Sequence, residues 1–219
     1  MTTNSEPYRS DPDLVVLQTL RCIGFATEDR LASASDFAVD ETRRRLAELA
    51  GRALVSTSPG PFGGWALTDD GRLAARRLLD EELSLTGARD LVRGCYEAFL
   101  GLNPMLLDVS TDWQMVRIGD GHMLNDHKDP DHDAKVLDRL IRVNDRAQKI
   151  CSELAGRLSR FDTYGVRLRA SLDRALAGDH AYVTDNLDSY HSVWFQLHED
   201  LLVTLGISRD EERGSGLGP

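Results

Sequence analysis

The stretch AELAGRALVSTSPGPFGGWALTDDGRLAARRLL, Ala47 to Leu79, decides the fold because its hydrophobic period changes twice along it. Ala53–Ser58 reads as a strand, PGPFGG (Pro59–Gly64) as a turn and Trp65–Thr68 as a second strand, which together predict a hairpin. Thr68 then caps a helix running through Leu73, Arg76, Arg77 and Leu79. The acidic pair Asp69 and Asp70 falls in its first turn, where negative charge suits the helix dipole.

Working outward toward the N-terminus, Val39, Thr42, Leu46 and Leu49 share one side at helical spacing, and Gly51 is placed as a stop. Before them, Asp11 and Pro12 open a helix over Leu14–Ile23 that Gly24 ends, Thr27 caps a second helix to about Ser35, and Asp36–Ala38 is a turn. Helix, helix, turn, helix, hairpin, helix is the order of a winged helix-turn-helix. AELAGRALV, the glycine-rich tip and WALTDDGRLAARRLL resemble the MarR and PadR-type winged-helix families, whose second wing strand runs into an "xLTxxGR" helix start. The resemblance covers residues 12–83, about a third of the chain.

It implies that helix 39–50 enters the major groove of duplex DNA, with the wing 53–68 beside it. Carried over by position, the outward residues are Asp40, Glu41, Arg43, Arg44 and Arg45, while Thr42 and Leu46 turn inward. The tip has no Arg or Lys, and Phe62 is the residue expected to pack there. Phosphate neutralisation needs a basic face, yet the 219-residue chain has a net charge of −10. Between Val39 and Leu79 seven arginines stand against five acids, so a modest basic face is expected. The DNA reading requires Arg43–Arg45 to project from an exposed helix, free of neutralising carboxylates.

From Ala88 the pattern is helical. Leu91, Cys95, Phe99 and Leu102 belong to one helix, interrupted at Asn103-Pro104 and continued by Met105–Val109. Asp112–Asp133 reads as a polar loop, followed by helices over Lys135–Leu158, Tyr164–Ala177 and Asp185–Leu205, a small bundle. In the loop His122, His127 and His132 recur every five residues, a spacing that matches no helical ligand pair, and Asp129, Asp131 and Asp133 lack the turn glycine and terminal glutamate of a calcium loop. No metal site is expected. In the last helix His191, Trp194 and His198 share a stripe beside an apolar ridge. They are either core and dimer-contact residues or one wall of a small-molecule pocket completed by Asp112, Trp113, Asn125, Asp126 and His127. The segments Thr111–Gln114, Asn125–Asp133 and Asp188–Leu201 are similar to a helical module that recurs beside winged-helix segments in actinobacterial proteins, and more distantly to modules of phosphoenolpyruvate-utilising enzymes.

The composition, 41% hydrophobic, supports a core that needs neither disulfides nor metal to fold. Cys22, Cys95 and Cys151 are odd in number and lie in apolar patterns, as reduced core residues do. The chain has neither a membrane-length apolar run nor a secretory leader, so a cytoplasmic protein is expected. Phosphate-loop, dinucleotide and nucleophile-elbow motifs are absent, so neither an enzyme nor a cofactor is expected. The expected architecture is mainly α: a flexible tail 1–11, a winged helix-turn-helix 12–83 with a two-stranded wing, a joint over Glu81–Arg89, a C-terminal helical effector or dimerisation bundle 88–207 and a tail 208–219. The expected function is a homodimeric, ligand-responsive DNA-binding transcriptional regulator. The alternative is a non-catalytic protein-interaction or accessory module.

Overall fold

The computed structural model describes residues 6–58, 63–119 and 121–214. It is mainly helical, in the order α1 (Pro12–Ile23), α2 (Glu28–Ser35), α3 (Val39–Gly51), β1 (Val55–Ser58), β2 (Gly64–Leu67), α4 (Asp69–Thr86), α5 (Arg89–Leu100), α6 (Asn103–Gln114), β3 (Met115–Ile118), β4 (Gly121–Leu124), α7 (Pro130–Ala155), α8 (Asp162–Leu176), α9 (Tyr190–Leu205) and α10 (Arg209–Gly214). Short 3-10 turns lie at Ser159–Phe161 and His180–Tyr182. Among the described residues no helix is long and apolar enough to cross a membrane.

Local chemistry sets the boundaries. The Asp11 carboxylate accepts from the backbone N–H groups of Asp13 and Leu14, with Pro12 at the first helical position, so α1 starts where its unpaired amides find an acceptor. Thr68 does two jobs at the joint between β2 and α4: its hydroxyl donates to the Ala53 carbonyl at 2.7 Å and accepts from the Gly71 N–H at 3.0 Å. A Cβ on Gly71 would stand 1.9 Å from the Leu54 carbonyl oxygen, so only glycine lets α4 begin against the chain entering β1. β1 and β2 pair antiparallel with Val55 opposite Leu67, and Ala26 bridges to Trp65 on the far side of β2.

Three expectations are corrected. Asp112–Asp133 is not a loop: α6 continues to Gln114, and β3 and β4 form a second antiparallel hairpin with Met115 opposite Leu124. Residues 81–89 are mostly helix, because α4 runs on to Thr86 before Gly87 caps it with φ +62°. The described parts of both tails are pinned. Tyr8 pairs in parallel with Leu158, Ser10 is buried, and α10 buries Glu212; residues 1–5 and 215–219 lie outside the described residues.

There are two apolar cores. One gathers Val16, Leu17, Leu20, Leu31, Leu46, Leu49 and Leu67 in the head, α1–α4; the other gathers Phe99, Trp113, Leu140, Phe161, Tyr190 and Leu197 in the body, α5–α10. A buried polar cluster joins them. Arg160, its side chain 2% exposed, donates to Glu82 of α4 at 2.9 Å and to Asp200 and Thr204 of α9 at 2.6 and 2.9 Å. Gln18 of α1 and Tyr164 of α8 both donate to the same Asp200 carboxylate at 2.9 Å. Burial alone lowers the affinity of a guanidinium for its proton, but the carboxylates of Asp200 and Glu82 outweigh it and hold Arg160 above its ordinary value.

Candidate functional site

The face of α3 is built from an amphipathic helix whose Thr42, Leu46 and Leu49 are buried, which turns Asp40, Arg43, Arg44 and Glu48 outward. Arg43 and Arg44 are 57% and 53% exposed, as the sequence leads one to expect; Arg45, at 17%, is not, and lies over the Phe37 ring. The expectation of free positive charge is corrected for all three. Arg43 pairs with Glu28 at 3.0 Å and Asp40 at 2.9 Å, Arg44 with Glu41 at 2.8 Å and Glu48 at 2.6 Å, and Arg45 with Glu41 at 2.6 Å and Asp13 at 3.5 Å. Hydrogen bonds from Arg44 hold the Glu41 carboxyl below its usual range. For four of these six pairs the cause lies in the sequence, since VDETRRRLAE places acids three and four residues from arginines, where helical side chains meet; Glu28 and Asp13 come from α2 and α1. Arg72, Arg76 and Arg77 are likewise paired, with Asp69, Asp80 and Glu81. Phe62 lies outside the described residues.

The composite pocket expected in the body divides in two. His191, Trp194 and His198 line a cavity of about 60 Å³ with Asn103, Leu106, Leu107 and Phe195, and none of Asp112, Trp113, Asn125, Asp126 or His127 reaches it. Sites for drug-sized ligands run to about 300–1,000 Å³, well above this volume. Its residues are engaged in packing. Trp194 stacks on Phe99 and donates to Asn103 at 2.8 Å; His198 is buried 2.6 Å from Glu212, which also accepts from the Tyr96 hydroxyl at 2.7 Å. Burial holds His191 below its ordinary value.

Of the remaining five, Asp112 pairs with Arg139 at 2.7 Å and Asp126 with Lys128 at 2.8 Å. Trp113, Asn125 and His127 do come together, around two residues outside the expected set. Asn125 donates to Asp133 at 2.9 Å and to the Trp113 carbonyl at 3.0 Å, and His127 Nδ1 lies 2.9 Å from the second oxygen of Asp133. The His180 ring meets Trp113 edge-on at 5.1 Å and lies 5.4 Å from the His127 ring, which itself packs at 4.6 Å from Trp113. Asp133 has an early signal as a residue of the first turn of α7; His180, on a distant 3-10 turn, has none.

A second feature that the sequence does not disclose is a crevice of about 510 Å³ between head and body, lined among others by Arg9, Ser10, Phe37, Arg45, Arg160 and Arg167. The Ser10 hydroxyl and Arg45 Nε are buried there without a hydrogen-bond partner. Burial lowers the Arg167 guanidinium below its ordinary value.

Compared with protein-family models, curated proteins and solved structures, the chain matches none of them.

Proposed function

We propose that this chain is a non-catalytic regulatory protein in which a winged helix-turn-helix unit, residues 12–83, docks on a protein partner through α3 while the bundle behind it orients that unit. The winged-helix part is supported by the order α1, α2, α3, β1, β2, α4 and by the Ala26–Trp65 bridge, which lays a third short extended segment beside β2. The docking part is carried by one observation: every arginine of the Arg43–Arg45 trio already has carboxylate partners. Duplex affinity grows from counterions released as cations meet phosphates, and here any phosphate approaching Arg43 or Arg44 also approaches Glu28, Asp40, Glu41 and Glu48. A lattice of both signs is instead suited to choosing among protein surfaces, where complementary charges set register and reject wrong partners. In the same proposal the chain is a homodimer, and a small-molecule effector in the crevice, which Asp36, Glu41 and Asp162 line together with Arg45 and Arg167, acts on the head through the Arg160 cluster.

Duplex DNA is the second reading, favoured by the exposure of Arg43 and Arg44. Exposed ion pairs are weak because solvent screens them, so both guanidiniums can exchange carboxylate for a base edge. Two measurements separate the readings. Protein docking predicts a stable stoichiometric partner retained without DNA and lost on Arg44→Glu. It also predicts no salt-sensitive mobility shift on duplexes that include the DNA upstream of the protein's own gene. A sequence-dependent shift that weakens with salt, and strengthens in Glu41→Gln/Glu48→Gln, overturns docking in favour of DNA.

A further inference from the structure

We infer that His127, Asp133 and His180 form a binding site for a divalent first-row transition metal ion. The inference is independent of what α3 binds. One ligand atom from each residue lies within 4.8 Å of the other two, and the three come from separate segments: the turn after β4, the first turn of α7 and the 3-10 turn before α9.

Bond lengths of about 2.0–2.2 Å from such an ion to imidazole nitrogen and carboxylate oxygen put neighbouring donors about 3–3.5 Å apart. His127 Nδ1 and Asp133 Oδ2 stand 2.9 Å apart, a hydrogen-bond distance just inside that separation, so an ion would replace their hydrogen bond with a slight opening of the pair. His180, with a ligand atom within 4.8 Å of the other two, has to approach further, and no described residue holds its half-buried ring by a hydrogen bond.

The rest of the arrangement is what a metal site needs. Asp133 is buried, and its other oxygen is fixed by Asn125, whose amide is anchored in turn on the Trp113 carbonyl; such outer partners orient a ligand before the ion arrives. The Trp113 ring walls one side, buried and in contact with both imidazoles. His127 holds φ +56°, a conformation costly for a non-glycine residue, with its N–H bonded to the Asn125 side chain at 3.0 Å. Two imidazoles and one carboxylate select zinc, cobalt, nickel or iron over magnesium and calcium, which take oxygen donors. Three protein ligands leave at least one coordination position for water or a further ligand.

The test uses untagged full-length protein stripped with a chelator. Titration with Co²⁺, followed by visible absorption, and with Zn²⁺, followed by calorimetry, should show one saturable equivalent, with quenching of tryptophan fluorescence by Co²⁺ because Trp113 touches both imidazoles. His180→Ala, which leaves the Asn125–Asp133 bond in place, should lower affinity at least about tenfold with an unchanged circular dichroism spectrum, whereas His122→Ala on the neighbouring hairpin should bind as the parent does. Asp133→Asn removes a buried acceptor and endangers folding, so His180→Ala is decisive. The proposal is overturned by absence of saturable binding in the parent chain, or by binding that survives His180→Ala undiminished.

Discussion

Arg44 on α3 and Arg160 at the joint of head and body are the same residue in the same company, each held by two carboxylates at 2.6–2.9 Å, yet they play opposite parts. The difference is water. Around Arg44 solvent screens the charges and competes for every donor, so the pairs are cheap to break and set surface character rather than stability. Around Arg160 solvent is excluded, and removing one partner strands charge in a medium that cannot accommodate it. Charge on α3 therefore shapes the surface that the head presents to solvent, and charge at Arg160 governs how the head sits on the body.

That contrast can be broken by measurement. Arg160→Ala should cost about 3–5 kcal/mol in urea unfolding, because Glu82 and Asp200 lose their cation together; a loss below about 1 kcal/mol would place Arg160 with the surface arginines. Glu212→Ala should cost about 1–3 kcal/mol by the same assay, since it leaves His198 and the Tyr96 hydroxyl buried without their acceptor. Arg44→Ala should leave the urea midpoint close to that of the parent, because solvent replaces both of its partners. The smallest effect concerns pH. His191 is held below its ordinary value by burial, so the folded protein takes up that proton less readily than the unfolded chain. Its contribution is complete above about pH 6.5 and drains away as pH falls through the folded value, and His191→Gln should flatten that part of the curve of urea midpoint against pH.

The comparison also explains what could be read from the chain. Caps at Asp11, Thr27 and Thr68, the glycine stop after α1 and the hairpin between α3 and α4 were legible because each is a local bargain between neighbouring residues. The second hairpin carries a signal too: Met115–Ile118 and Gly121–Leu124 flank a turn that opens with Gly119 at positive φ, but the surrounding acids and histidines suggest a loop. Arg160, Glu82 and Asp200 carried none. A charged residue in an amphipathic helix reads as solvated, and only the meeting of α4, α9 and the turn before α8 takes these three out of water. The meeting of His127 with His180 is equally invisible, since their spacing along the chain says nothing about their distance in space. The charge balance of α3 is legible in its spacing, because Asp40, Glu41 and Glu48 stand one helical turn from Arg43, Arg44 and Arg45.

The shared carboxylate of Asp200 has a last consequence, for anyone who would take the protein apart. Gln18 and Glu82 belong to the head, whereas Arg160 and Asp200 belong to the body. Severing the chain after α4 would leave an orphaned acid on one fragment and a guanidinium short of one of its two counterions on the other. Small helical heads invite grafting onto new backs, but this one is soldered to its own, and a transplanted copy would have to carry Glu82→Leu or an equivalent apolar patch to survive alone.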